Sequence, residues 1–168
     1  MLDNFANVEE AVAFIDENTF QVVSDMMPDG SRLATLHLSI SDATSDCAIF
    51  EYTGGKLTVY HSKEYKVMTN SPTYNKQLAL NEYWKSIGGL SFLPGTNRPS
   101  DRFARASFYI NALPPTDDVR IAVASVFSVI RNTSVPYGIS TPEFPEFPPH
   151  NGERYRIVRI CSTSSNQV

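Results

Sequence analysis

The chain has 168 residues, of which 42% are apolar and 19% are charged, and its formal net charge is −4. This composition is that of a folded protein and argues against a disordered or fibrous chain, and the length fits one domain. Because the chain is acidic and its Lys and Arg residues form no cluster, we expect no nucleic acid partner. No apolar run approaches the roughly 18 residues of a membrane span, so we expect no membrane partner.

The first predicted element is a short helix. Asn7 and Glu10 have the spacing of a capping box, and apolar residues then recur at helical spacing: Val8, Ala11, Val12 and Ile15. The stretch 33–42, LATLHLSISD, alternates instead, which predicts a strand with one apolar and one polar face. The apolar face would carry Ala34, Leu36, Leu38 and Ile40, and the polar face His37 and Ser39.

The next stretches predict a hairpin. CAIFEY and KLTVYH are rich in strand-forming residues and are separated by TGG, where glycine supplies the positive φ of a tight turn. A further short strand, YKVMT, ends at Asn70. Pro72 suits the first position of a helix, which would run to about Ile87.

Two more helices are predicted after the irregular stretch 88–100. Ser100 is a candidate cap for DRFARASFYINAL. DDVRIAVASVFSVIRN has acids at its start and Arg131 near its end, as the helix dipole favours. Its predicted apolar stripe consists of Val119, Ala122, Val123, Val126, Phe127 and Ile130. The order of one helix, several strands and several helices favours an α+β fold with an antiparallel sheet.

The candidate reactive residues are ambiguous by themselves. Two cysteines, Cys47 and Cys161, are too few for a disulfide framework, and Cys47 fits a small buried side chain better than a nucleophile. His37 and His61 lie on strand patterns without the acidic spacing of a metal site, so we interpret them as structural. From the residues alone, Asn70 is a turn or cap residue and Arg102 a solvated helix charge.

Three stretches change this interpretation, because together they resemble the choloylglycine hydrolase family, which contains bile salt hydrolases and penicillin V acylases. They are AIFEYTGGKLTVYHSKEYKVMTNSPTYNKQLALNEYW, LPGTNRPSDRFARASFYINALP and SVIRNTSVPYGIS, and they occur in family order. The resemblance spans most of residues 4–142. Its most specific motifs are VMTNSP and the LPG and DRF elements that follow.

The resemblance implies an N-terminal nucleophile (Ntn) hydrolase that cleaves linear amide C–N bonds and forms an αββα sandwich. In that family a cysteine at the mature N-terminus attacks the amide, its own α-amino group transfers protons, and an acyl-enzyme forms. No metal or organic cofactor is implied. Asn70 in TNSP and Arg102 in SDRF match the family's active-site asparagine and arginine. Arg98 and Arg105 match no catalytic position.

The resemblance also implies that the chain is a fragment, in which the sandwich is incomplete at the N-terminus and, we expect, at the C-terminus. The family's nucleophilic cysteine, and the arginine and aspartate behind it, lie upstream of the matching stretches, so we expect residues 1–146 to form a partial domain that is inactive by itself. The expected substrate is a small-molecule amide: a conjugated bile salt, penicillin V or another acylated amine. The alternative is a non-catalytic module that binds an acyl or steroid-like group.

The last residues, 147–168, depart from the family pattern. Residues 147–168 can be encoded by many sets of synonymous codons. One such set, when it is translated in the reading frame that begins one nucleotide earlier, encodes W-R-T-V-S-D and later Q-Y-F-F, which is the family pattern. We hypothesise a frameshift shortly before Phe147 and an internal start, and the hypothesis fails if the coding DNA gives no tryptophan across Asn151 and Gly152.

The expectation that the chain is a fragment also leads to expectations about its solubility and its location. Loss of strands would expose apolar faces, so we expect low solubility or self-association of the chain as a homo-oligomer. No targeting signal is found, which fits the cytoplasm for this chain, whereas Gram-negative relatives often carry an export signal, which fits the periplasm for a full-length parent.

Overall fold

The computed structural model describes residues 4–17, 26, 37–88 and 92–134, and the backbone of residues 159 and 160. Helix α1 spans Val8–Glu17, and it is followed by strands β1 (His37–Ser41), β2 (Cys47–Thr53), β3 (Lys56–His61) and β4 (Val67–Met68). Helices α2 (Tyr74–Ser86), α3 (Pro99–Ala112) and α4 (Val119–Thr133) come next, and then strand β5 (Arg159–Ile160). The predicted α+β class is confirmed.

Strands β1, β2 and β3 form one antiparallel sheet in sequence order. The predicted hairpin joins β2 to β3 through Gly54 and Gly55, whose φ angles of 61° and 78° lie in the left-handed region that glycine adopts without strain. The β4 strand pairs with β5 in a separate two-stranded sheet. The part of the predicted first strand at residues 33–36 lies outside the described residues, as do 147–158 and 161–168.

Each face of the three-stranded sheet packs against helices. On one face, Ile40, Ala48 and Phe50 pack against the apolar side of α1. On the other face, Ile49 and Tyr60 contact a cluster from β4 and the later helices: Val67, Tyr74, Phe103, Ala106 and Val129. Because both faces are covered, Ser39 on the polar side of β1 is buried as well as Ile40 on its apolar side.

Helix α1 begins with a variant of the predicted capping box, in which Glu10 reaches the N–H of Ala6 instead of that of Asn7. Asn7 Oδ1 accepts the Glu10 N–H at 2.9 Å, while the Glu10 carboxylate accepts the Ala6 N–H at 3.0 Å. A second cap comes from the turn between β1 and β2, where Asp42 Oδ2 accepts the Val8 N–H at 2.9 Å. The Asp42 carboxylate therefore joins α1 to the edge of the sheet.

The starts of α2 and α3 correct two local predictions. Helix α2 begins at Tyr74, two residues after Pro72, because the acceptor for its first N–H comes from β2 rather than from the preceding loop. Helix α3 begins at Pro99, so Ser100 lies inside its first turn instead of capping it. Proline at this position loses nothing, since the first N–H groups of a helix have no intrahelical acceptor.

Helix α4 is confirmed, and its predicted apolar stripe is only partly covered, with Ala122, Val126 and Ile130 half-buried. Asp118 caps the helix by accepting the Arg120 N–H at 2.8 Å. Its buried residues are Val129 and Thr133, whereas Val119, Val123 and Phe127 are exposed, the last to 51%. The helix is apolar on more than one side, so periodicity alone did not select the face that packs. No helix in the described part of the chain is long and apolar enough to cross a membrane.

The Asp42 cap gives a prediction with a defined pH dependence. Burial raises the pKa of Asp42, but hydrogen bonds from Val8, Thr44 and Asp46 together hold the pKa below its usual 3.8. The ionised carboxylate therefore stabilises the fold above that value, and the contribution is lost as the pH falls through the lowered pKa. We expect Asp42→Ala to lower the free energy of unfolding at about pH 7 by about 1 kcal/mol in urea titrations.

The matched control is Asp117→Ala, which removes an exposed acid in the loop before α4 and should change the unfolding free energy by less than about 0.5 kcal/mol. The cost of Asp42→Ala should shrink at about pH 3. An equal cost at both pH values would contradict an ionised cap.

Candidate functional site

The two residues selected from the sequence, Asn70 and Arg102, lie together. Asn70 is in the connection between β4 and α2, and Arg102 is in the first turn of α3. Arg102 Nη2 donates to Asn70 Oδ1 at 3.3 Å. Asn70 is exposed, whereas Arg102 is only 1% exposed. A buried guanidinium is costly unless its surroundings compensate the charge, which makes this contact a candidate for function rather than a surface accident.

The connection that carries Asn70 is fixed to α2 by the side chain of Gln77. Gln77 Oε1 accepts the Thr69 N–H at 3.3 Å, and Gln77 Nε2 donates to the carbonyl oxygens of Thr69 at 2.9 Å and Pro72 at 2.7 Å. Gln77 is completely buried. Both backbone groups of the residue before Asn70 are therefore satisfied by one amide.

Thr69 also joins this connection to α3. Its hydroxyl oxygen lies 2.9 Å from Gln77 Oε1 and 3.0 Å from the carbonyl oxygen of Pro99, the first residue of α3. The single hydroxyl hydrogen can serve one of these acceptors at a time. Because Arg102 follows Pro99 by less than one turn, this contact sets the distance between the segments that carry Asn70 and Arg102.

The sheet holds the other side of the connection. The Glu51 carboxylate on β2 accepts the Tyr74 N–H, at 3.0 Å to Oε2 and 3.2 Å to Oε1. His37 Nδ1 lies 2.7 Å from Glu51 Oε1, a close contact that lacks the direction of a hydrogen bond. His37 Nε2 lies 2.8 Å from the carbonyl oxygen of Asn70. One carboxylate and one imidazole thus contact both ends of the connection.

Arg105, which matched no catalytic position, holds the loop before α3. Its Nη1 donates to the carbonyl oxygens of Pro94 at 2.6 Å and Thr96 at 2.8 Å. Burial is the main cause that lowers the pKa of Arg105, opposed by the charge of Asp101. The two arginines of α3 therefore differ in their contacts: Arg102 reaches Asn70, and Arg105 reaches the loop backbone.

The remaining candidates are structural. His61 Nε2 lies 2.7 Å from Asp46 Oδ2 at the end of the hairpin. Cys47 is fully buried within β2, which confirms the expected small buried side chain. Across residues 4–17, 26, 37–88 and 92–134, no three His, Cys, Asp or Glu side chains gather in a group that could hold a metal ion.

A cavity of about 920 Å³ opens between α2, α3 and residues 63–67. Its walls include the apolar side chains of Tyr65, Leu78, Phe103 and Ile110, with Lys63 and Lys85 among its polar residues. Neither Asn70 nor Arg102 lines it. The cavity has the size of a ligand pocket, but it is separate from the Asn70–Arg102 contact.

Sequence reasoning missed Glu51 and Gln77. Glu51 had a usable signal, since it is the one charged residue in the otherwise apolar or aromatic strand stretch AIFEY, and a carboxylate in a buried strand must find donors. Gln77 had no such signal, because a glutamine in an amphipathic helix is ordinary. Its partners became visible only when the fold placed residues 69 and 72 beside α2.

Comparison with known proteins gives consistent matches. A family model described as linear amide C–N hydrolases, choloylglycine hydrolase family, matches residues 1–143. Penicillin V acylase of Pectobacterium atrosepticum (strain SCRI 1043) is 49% identical over 157 residues, and the match covers 86% of this chain and 42% of the acylase. Uncharacterized protein A284L of Paramecium bursaria Chlorella virus 1 is 25% identical over 154 residues, covering 83% of this chain and 54% of the viral protein.

Among solved structures, penicillin V acylase from Agrobacterium tumefaciens matches with a TM-score of 0.75 and 54% sequence identity. The match covers 95% of this chain and 47% of that structure's chain. The chain therefore spans about half the length of the proteins that it matches.

The Gln77 contacts give a second prediction. Gln77→Leu removes the partners of the Thr69 N–H and of the Thr69 and Pro72 carbonyl oxygens. A buried polar group that loses its partner costs about 1–3 kcal/mol, so the variant should lose at least about 2 kcal/mol of unfolding free energy in urea titrations. Lys76→Leu, at the exposed neighbouring position, is the control, and equal stability of the two variants would contradict this role of Gln77.

Proposed function

The chain belongs to the choloylglycine hydrolase family of linear amide C–N hydrolases, and we propose that it supplies Asn70 and Arg102 to the active site of such an enzyme. The observation that carries the proposal is the hydrogen bond from Arg102 Nη2 to Asn70 Oδ1. These two residues are the ones that match the family motifs, and they are separated by 32 positions in the sequence.

The contact suggests a role for each group. Since Asn70 Oδ1 accepts from Arg102, the side-chain amide is oriented and its Nδ2 hydrogens are available for donation to a ligand. An amide N–H fixed in this way can stabilise the oxyanion that develops when an amide carbonyl is attacked. The Arg102 charge would add to the positive potential at the same place, where it can favour a thiolate or orient a carboxylate.

In the proposed reaction, the nucleophile is a cysteine at a mature N-terminus upstream of the matched motifs. Its thiolate attacks the amide carbonyl carbon, the C–N bond breaks, and the amine leaves with a proton delivered by the α-amino group. Water then hydrolyses the thioester and releases the acid and the thiolate, and the proton set free in this step returns to the α-amino group. Asn70 would hold the oxyanion in both steps.

The proposed substrates are small acylated amines. Two of the matching proteins are named penicillin V acylases. Their names support penicillin V as the substrate of an enzyme that contains this chain. Conjugated bile salts and other acylated amines are the alternatives within the family. We also propose that residues 1–146 form the hydrolase portion and that 147–168 derive from a shifted reading frame.

A non-catalytic fragment is the second candidate function. Two observations favour it: the chain spans less than half of each penicillin V acylase, and Cys47 is enclosed in β2, where it cannot attack a substrate. In this second candidate, the cavity of about 920 Å³ would bind an acyl or steroid-like group that is not hydrolysed. Exposed apolar side chains on α4 favour self-association of such a fragment.

Reconstitution from two chains tests the first candidate. We expect this chain to assemble with the parts of the Agrobacterium tumefaciens acylase that precede and follow the segment matched by residues 1–146, supplied as a second component, and to hydrolyse penicillin V. Copurification establishes assembly before the assay. Removing an oxyanion donor costs about 10²–10³-fold in kcat, so Asn70→Ala should reduce turnover by that factor, and Arg102→Lys should reduce it as well.

The matched controls are Asn132→Ala and Arg120→Lys, which change exposed residues of α4 and should leave turnover unchanged. An assembled complex in which Asn70→Ala keeps the full rate would contradict the role of Asn70. An assembled wild-type complex that binds penicillin V without hydrolysing it would favour the non-catalytic candidate.

A further inference from the structure

We infer that His37 and Glu51 are positioning residues for Asn70, a role that rests on the proposed function of Asn70 as an oxyanion donor. The inference starts from the backbone of Asn70. Its carbonyl oxygen can only accept a hydrogen bond, and His37 Nε2 is 2.8 Å away. His37 therefore carries a hydrogen on Nε2, and the imidazole holds the peptide group that follows the Asn70 side chain.

Glu51 packs against the ring of His37 without a hydrogen bond to it. Its Oε1 lies 2.7 Å from His37 Nδ1, on the opposite side of the ring from the Asn70 contact. The side chains are 6% exposed for His37 and 1% for Glu51, so both lie largely out of water, whereas Asn70 is exposed. His37 and Glu51 are also directly opposite each other on β1 and β2, which fixes the separation of their backbones.

The same carboxylate holds the far end of the connection. Tyr74 is the first residue of α2, and its N–H has no acceptor within the helix. Glu51 accepts that N–H with both oxygens, so a negative charge sits at the positive end of the helix dipole. Glu51 of β2 thus contacts the start of α2 directly, and it contacts the imidazole that lies against the Asn70 carbonyl.

Contacts from opposite sides then define the backbone around Asn70. Gln77 satisfies Thr69 from α2, and His37 contacts Asn70 from the sheet. The Asn70 side chain is left to meet Arg102. A displacement of a reacting group by about 1 Å can cost a factor of about 10², so loss of the His37 contact should impair turnover although His37 would not touch the substrate.

The test uses the full chain and two substitutions at one position. His37→Gln places an amide nitrogen near the position of Nε2 and keeps a donor, whereas His37→Leu removes it. We expect His37→Leu to shift the NMR signals of the Asn70 carbonyl carbon and side-chain amide, and His37→Gln to restore them in large part. His61→Leu, which breaks the Asp46 pair at the hairpin, is the control and should leave these signals unchanged.

A measurement on the wild-type chain covers the case in which His37→Leu does not fold. Long-range ¹H–¹⁵N correlation spectra of the imidazole should find a hydrogen on His37 Nε2. A ring with its only hydrogen on Nδ1 would overturn the inference, and so would Asn70 signals that stay the same in a folded His37→Leu chain.

The reconstituted enzyme supplies a readout that separates positioning from stability. We expect His37→Leu to reduce kcat by about 10–100-fold with KM changed by less than about 3-fold, and His37→Gln to recover part of the loss. Equal losses in both variants, following their melting temperatures, would overturn the inference. If the assembled wild-type complex shows no hydrolysis, the proposed function fails, and the NMR results on the chain alone still decide whether His37 positions Asn70.

Discussion

A buried carboxylate needs hydrogen-bond donors. For Glu51 the donor is the N–H of Tyr74 at the first turn of α2, and the carboxylate also contacts the ring of His37. This arrangement places the side of β2 that carries Ile49 and Glu51 against the helices that follow the sheet. The alternation of the strand makes it possible, since Phe50 faces α1 while Ile49 and Glu51 face the other layer. The connection between β4 and α2, and with it Asn70, takes its position from that one residue and from Gln77 on the helix side.

This constraint relates the site to the fold. Arg102 is delivered by α3, whose first residue is joined to the same connection through the Thr69 hydroxyl. Asn70 and Arg102 lie together because the sheet, α2 and α3 all contact residues 69–74. Neither residue is placed by its sequence neighbours alone. The chain spans about half of each penicillin V acylase it matches, and the proposed function gives it only part of the catalytic residues.

The limits of sequence reasoning are visible at particular residues. The cap of α1 and the turn at Gly54 and Gly55 depend on neighbours within four positions, and both were predicted correctly. The starts of α2 and α3 were placed wrongly, because Glu51 supplies a tertiary acceptor for Tyr74, and Pro99 begins the helix before Ser100. The apolar stripe of α4 is only half covered, because packing with other elements buries Val129 instead of Val119, Val123 and Phe127. Asn70 and Arg102 were selected only through resemblance to a family, and their roles remain predictions.

Hydrogen exchange at the Tyr74 amide tests the central role of Glu51 most directly. The first N–H of a helix without an acceptor exchanges at nearly the rate of an unstructured amide, because it takes part in no intrahelical bond. The account predicts instead that the Tyr74 amide is protected to the same degree as the amides in the middle of α2, with an opening free energy close to that of global unfolding. Exchange of Tyr74 at the rate of an unstructured amide, in a chain whose α2 interior is protected, would contradict it.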